Sequence, residues 1–268
     1  MHLLIVGCGF IGSTIAMAAD GLEEVESISL MDNNHEKALN LASAIGKASI
    51  VKDFNDALDS ANLVVEAASH IAARSIIPEA IGRGKDCMVM SVGVFVDDDF
   101  RISMFQKSKE KGSRIYIPSG AVCGTDGLRA ASISDIEEVE LITTKGPESM
   151  AGVPYLFQEG LDVNAIENTT VVFQGSAREA VIAFPRNVNV AATISLLGLG
   201  FDRTKVTVII DPKSKSNSHE LIVRGRFGEM HCETKNMQSP ANPATSYLAG
   251  LSAVSALRRI VRNEWIGV

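Results

Sequence analysis

The sequence is short of several things, and each shortage removes a class of function. Net charge is −7, and no run of lysine and arginine interrupts it. Neither nucleic acid nor an anionic membrane is therefore an expected partner. The longest apolar stretches, around Cys87–Val96 and Val190–Phe201, are too short or too broken by glycine to span a bilayer. The four cysteines, Cys8, Cys87, Cys123 and Cys232, show no C-x-x-C spacing. Free thiols in a reducing cytoplasm are expected, rather than a disulfide framework or a zinc site. No H-E-x-x-H or comparable ligand spacing occurs, so no metal site is expected. No basic and apolar leader precedes the first strand, so none is expected. What remains is ordinary: 46% hydrophobic and 21% charged residues in a chain of 268. That suffices for a sizeable core in one large domain or two small ones.

The apolar strand Leu3-Leu4-Ile5-Val6 runs straight into Gly7-Cys8-Gly9-Phe10-Ile11-Gly12, and a helical pattern follows. This is the G-x-G-x-x-G spacing in its strand–helix context. Gly7 permits the tight turn, Gly9 lets a pyrophosphate approach the backbone, and Gly12 lets helix and strand pack closely. The N–H groups at Phe10 and Ile11 open the helix and suit phosphate. A second apolar run, Ser27–Met31, ends in Asp32. An acid there accepts hydrogen bonds from the adenosine ribose and repels a 2′-phosphate. The expected cofactor is NAD, with NADP as the alternative.

Strands read at 3–6, 27–31, 48–51, 63–67, 87–91 and 114–117, and helices at 11–19, 34–45, 54–59, 70–83 and 97–111. The strands are continuous apolar runs, as in sheets buried on both faces. This alternation predicts an α/β fold with a Rossmann-type doubly wound parallel sheet. Pro118-Ser119-Gly120 breaks it. Beyond lie strands at 139–144, 169–173, 206–210, 220–226 and 229–234, with helices at 176–183 and 188–199. They predict a second α/β domain on a mixed or antiparallel sheet. Residues 1–120 are expected to bind the dinucleotide, and 121–240 to hold substrate and the oligomer contact. Ser239–Pro243 reads as a loop. A closing helix from Thr245 to about Val261 carries Leu248, Leu251, Val254, Leu257 and Val261 as one stripe. Residues 241–268 are expected to pack back on the first domain. Leu221, Val223 and the 206–210 run have few predicted helices to cover them, which predicts a homodimer.

A dinucleotide lies outside the carboxyl ends of parallel strands. That singles out the segments at 66–70, 92–94 and 119–124. Ala67 and Ala68 are small enough for close approach of the cofactor. Ser119 begins the segment where a nicotinamide and a substrate would meet. Cys123 reads either as a thiolate nucleophile or as a small buried thiol. His2, His35, His70, His219 and His231 compete for acid–base work. His219 sits in the polar run Lys215–Glu220, read as a loop leading into a strand. Asn187 reads as a helix cap, or as a holder of a carboxamide or a substrate carboxylate. Ser119, Asn187, Asn189 and His219 are the expected substrate contacts.

With these segments in view the chain resembles the L-aspartate dehydrogenase family nearly end to end. The shared glycine loop says little by itself. Ser119-Gly120-Ala121-Val122-Cys123-Gly124 and Phe184-Pro185-Arg186-Asn187-Val188-Asn189-Val190-Ala191-Ala192 are far more specific. Val65–Ser69, Gly200–Thr204, Asp211-Pro212 and Asn242-Pro243 extend the match. The resemblance implies NAD contacts at Ala121 and Asn187 and an acid–base role for His219. It implies NAD(P)-dependent oxidation of L-aspartate to iminoaspartate. The imine then hydrolyses to oxaloacetate and ammonia, or feeds quinolinate and NAD synthesis. Two alternatives fit the same residues. One is another two-domain dehydrogenase or reductase, of homoserine dehydrogenase or dihydrodipicolinate reductase type. The other is a non-catalytic NAD sensor. The chain departs from the resemblance at Lys145-Gly146-Pro147, where the family has a more basic segment, so the resemblance assigns no cation to the substrate's carboxylates.

Overall fold

The computed structural model describes residues 1–185, 189–239, 242–262 and 266, without the side chains of 242–244. Near the start, β1 (His2–Val6), β2 (Ser27–Met31), β3 (Ala48–Ile50), β4 (Leu63–Glu66), β5 (Asp86–Val89) and β6 (Ile115–Tyr116) form one sheet. Its order is β3-β2-β1-β4-β5-β6, and every neighbouring pair is parallel. This is the Rossmann-type doubly wound order, with its reversal between β1 and β4. The strands are joined by α1 (Phe10–Asp20), α2 (His35–Ser43), α3 (Phe54–Ser60), α4 (His70–Gly82) and α5 (Asp98–Lys111). Local chemistry sets their starts. Asn34, Asp53, Ser69 and Asp97 each cap a helix by accepting from first-turn N–H groups. Leu3, Ile5, Ile15, Leu30, Val65 and Met88 belong to the core of this unit.

The second unit holds α6 (Thr125–Ala131), β7 (Ile136–Lys145), α7 (Pro147–Met150), α8 (Pro154–Gln158) and β8 (Thr170–Ser176). It continues with α9 (Ala177–Ala183), α10 (Asn189–Leu197), β9 (Lys205–Ile210), β10 (Ser216–Gly225), β11 (Gly228–Ser239) and β12 (Asn242–Ser246). The strand order is β12-β11-β10-β7-β9-β8. β7 and β9 run parallel and the other pairs antiparallel, so the sheet is mixed. Leu128 of α6 and Ile194 of α10 share a core with Val139, Leu221 and Val223 of the sheet.

The two compact units are Met1–Pro118 with Gly250–Ile266, and Ser119–Ala249. Ser119, Gly120 and the stretch 242–249 thus fall with the second unit, not with the first as expected. The last helix, α11 (Tyr247–Arg262), buries Gly250, Ala253 and Leu257, and the latter two join the core of the first unit. Leu251 lies off that stripe at 42% exposure. A Cβ on Gly250 would stand 3.2 Å from the Phe10 ring, so a small residue there lets α11 approach α1.

Three other expectations change. β10 begins at Ser216 and β11 runs to Ser239, well beyond the predicted ends, because polar side chains on both faces hide the alternation. His219 therefore stands inside a strand, not in a loop. Part of the predicted 239–243 loop is strand β12, paired to β11. Leu221 and Val223, cited above as an uncovered face, lie under α6 and α10 of their own chain.

Candidate active site

In the first unit the glycine loop has the shape its spacing predicts. Gly7 has φ +102°, and a Cβ there would lie 2.4 Å from the Ala67 carbonyl oxygen. A Cβ on Gly12 would lie 1.8 Å from the Gly7 carbonyl oxygen. Gly9 meets nothing within 4 Å, and no side chain caps α1 behind it. An open, uncapped helix N-terminus is a cradle for a pyrophosphate, so these residues fit a dinucleotide. Asp32 braces this loop: one carboxylate oxygen accepts from Cys8 N–H at 2.7 Å and the other from Asn34 N–H at 2.8 Å. Each oxygen keeps a lone pair for a ribose hydroxyl. Burial first, then the Asp32 charge, pushes the Cys8 thiol up to about 11, which suits a spacer and not a nucleophile.

Ala67 and Ala68 lie just past β4, held by a residue that sequence reasoning passed over. Glu66 is fully buried. Its Oε1 accepts from Ala68 N–H, Ser69 N–H and the Ser91 hydroxyl, and its Oε2 from Ser91 N–H, at 2.9–3.1 Å. Burial pushes its carboxyl up, and these four bonds oppose that shift. One carboxylate thereby ties together the carboxyl-end loops after β4 and β5.

In the second unit, register arranges the inward residues of three strands in rungs. Val139 pairs Val223, which pairs Met230; Leu141 pairs Leu221, which pairs Cys232. Those two rungs are apolar. The next is polar: Thr143, His219 and Thr234. One step further, Asn217 pairs Asn236, and Lys145 follows Thr143 by two residues on the same face of β7. His219 and Lys145 are each only 4% exposed. Thr143 Oγ1 lies 3.0 Å from His219 Nδ1. Burial, and secondly the Lys145 charge, lowers the His219 pKa to about 3. Burial lowers that of Lys145 to about 8. At neutral pH the imidazole is therefore neutral and able to accept a proton, while the lysine remains mostly ammonium.

The other expected residues distribute as follows. The Ala121 carbonyl accepts from Asn236 Nδ2 at 2.9 Å and from the Thr234 hydroxyl at 3.0 Å. Strand β11 thus ties Ala121 to the rungs that carry His219. Ser119 is half-buried; the next residue, Gly120 (φ +73°), would bring a Cβ within 3.8 Å of Val190, beside Asn189 at the head of α10. Asn187 lies outside the described residues. The Cys123 thiol donates to the Glu233 carbonyl at 3.7 Å. His231 Nε2 is 2.7 Å from Glu220 on the opposite face of the sheet, and His2 Nδ1 is 2.6 Å from the Ser27 hydroxyl. His35 and His70 begin α2 and α4. In the sequence Lys145 stands out only as part of a local departure from the family, and Thr143, Asn217, Thr234 and Asn236 carry no role. The available signal was a polar residue at every second position in three segments, 143–145, 217–219 and 234–236.

Similarity to known proteins agrees with this layout. A family described as "Aspartate dehydrogenase, C-terminal" matches residues 126–260. A protein named L-aspartate dehydrogenase from Methanosarcina acetivorans is 47% identical over 98% of both chains. The chain belongs to the L-aspartate dehydrogenase family. A relative of the same name from Methanosarcina barkeri is 44% identical, again over 98% of both chains. The crystal structure of aspartate dehydrogenase from Thermotoga maritima superposes with TM-score 0.72 at 28% identity, covering 98% of this chain and 96% of that one. The family described as "Homoserine dehydrogenase, NAD binding domain" matches residues 7–118, the segment of the glycine loop. An NAD-type binding domain is thus joined to a second domain of the aspartate dehydrogenase family.

Proposed function

We propose that this protein oxidises L-aspartate to iminoaspartate with NAD. The observation that carries the reading is the neutral, buried imidazole of His219 next to the buried amine of Lys145, at the polar end of the second sheet. A sensor that only bound NAD would have no use for that pair. The glycine loop, Phe10 and Ile11 hold the pyrophosphate, Asp32 the adenosine ribose, and Ala67, Ala68, Ala121 and Asn187 line the rest of the cofactor. When bound, the dinucleotide supplies the hydride acceptor for the substrate α-carbon. His219 takes the proton that the α-ammonium must lose first. For Nε2 to accept it, Nδ1 must carry a hydrogen and donate it to Thr143 Oγ1. Ser119, Asn187 and Asn189 orient the substrate, and the imine hydrolyses to oxaloacetate and ammonia or feeds quinolinate and NAD synthesis.

NAD is favoured over NADP because a 2′-phosphate would meet the Asp32 charge. A cytoplasmic setting suits the four free thiols. The homodimer now rests on different residues: Ile142, Ile209 and Ile222, half-exposed on the sheet face opposite His219. Light scattering at micromolar concentration tests it, and a monomer mass overturns it. The activity itself is tested by an amino-acid screen with NAD⁺, following absorbance of the reduced cofactor. Aspartate is expected to be the best substrate; no reduction with aspartate overturns the reading.

A further inference from the structure

Lys145 is the single lysine or arginine that is buried among the described residues. Its place on β7 continues an inward series of Val139, Leu141 and Thr143. An apolar residue there would cost nothing in desolvation, whereas an ammonium does. The neighbouring rung offers His219, which is neutral at physiological pH. This end of the sheet therefore presents one positive charge and hydrogen-bonding groups, a match for a small anion.

We propose that Lys145 is the cation that anchors the side-chain carboxylate of the substrate. The proposal rests on reading this polar end as the substrate site. Rungs of a sheet face recur every ~7 Å along a strand. A short amino dicarboxylate bridges that spacing with a hydrogen bond at each end, its carboxylate at Lys145 and its α-ammonium at His219. The side-chain carboxylate fits the spacing better than the α-carboxylate, which shares a carbon with the amine. Lys145 then sets the preference for aspartate over neutral side chains of the same length. It is a binding and specificity residue; proton transfer stays with His219.

The test compares wild type with Lys145→Met and Lys145→Arg as NAD⁺ complexes. Succinate, a dicarboxylate without the amine, is titrated calorimetrically, and KM and kcat are measured for aspartate and asparagine. Lys145→Met is expected to weaken succinate binding and raise the aspartate KM by about 10- to 100-fold, the worth of one charged hydrogen bond. The aspartate-to-asparagine preference should fall by a similar factor, with NAD affinity unchanged. Lys145→Arg, which keeps the charge, should recover most of the loss. If Lys145→Met does not fold, Lys145→Gln replaces it. Wild-type succinate affinity and aspartate KM in the folded neutral variant overturn the proposal and leave the dehydrogenase reading standing. Lys145-dependent succinate binding in a wild type that does not oxidise aspartate overturns the dehydrogenase reading and leaves the anchor standing.

Discussion

Lys145 and His219 stand on adjacent antiparallel strands, on the same buried face, and the lysine charge adds to burial in keeping the imidazole neutral. A base that is neutral at every physiological pH needs no prior deprotonation. The same burial makes it a weak acceptor, since a low pKa lowers the driving force for taking a proton. A bound anion beside Lys145 would offset the positive charge and strengthen the base when substrate arrives.

Replacing His219 with Asn should lower kcat for aspartate oxidation by roughly two to four orders of magnitude. NAD affinity should barely change, because the glycine loop and Asp32 lie in the other unit. Steady-state kinetics and a fluorescence titration of NAD check both halves. A near-wild-type rate in a folded variant makes the imidazole structural.

The activity profile should show no His219 inflection between pH 5 and 9, because its pKa is about 3. This departs from the simple expectation that an exposed loop histidine titrates near neutrality. Stability carries the signature instead. With a folded pKa below the unfolded one, the native state binds fewer protons between pH ~3 and ~6.5. Stability is fully present above that window and is lost as pH falls through it, by about 2 kcal/mol at pH 5. Urea unfolding at pH 5 and pH 8 should show this component in wild type and not in His219→Asn.

Lys145→Met should stabilise the ligand-free protein at pH 7. Burial holds the lysine pKa near 8, below its ordinary 10.5. The native state therefore binds fewer protons than the unfolded one between those values, and the buried ammonium costs up to about 3 kcal/mol at neutral pH. Denaturant melts of the two proteins check the sign. A loss of stability in the variant contradicts it.

Glu66→Gln should lower unfolding free energy by about 2–3 kcal/mol, since an amide NH₂ replaces one acceptor oxygen and faces a donor. NAD binding should weaken too, because the loops after β4 and β5 lose their common tie. Thermal melts and NAD titration measure the pair of effects.

Asp32→Ala should weaken NAD by about 10- to 100-fold and shift the NADP-to-NAD affinity ratio toward NADP. The loss exceeds that of the ribose contacts because Cys8 N–H also loses its acceptor. An unchanged ratio contradicts the role given to the charge.

The glycine loop and the parallel sheet were legible because each depends on a few residues close in sequence. Gly7 through Gly12 set one turn, and each parallel strand is one continuous apolar run; the caps at Asn34, Asp53, Ser69 and Asp97 are equally local but were seen only in the structure. Residue type and family likeness point to His219, but its place inside a strand is not legible. Ser216–His219 and Thr234–Asn236 look like polar loops because their inward positions are polar too.

The amino-acid order alone determined the doubly wound first unit, the mixed second sheet and the family of the chain, all carried by local periodicity and contiguous motifs. Only the tertiary structure decided the charge state of the site. Thr143 and Lys145 lie more than seventy residues from His219, and nothing local brings them together. Antiparallel pairing of β7 with β10 does so, and burial then turns an ordinary histidine and lysine into a neutral base beside a buried cation. Desolvation depends on what surrounds a group in space, which no reading along the chain supplies.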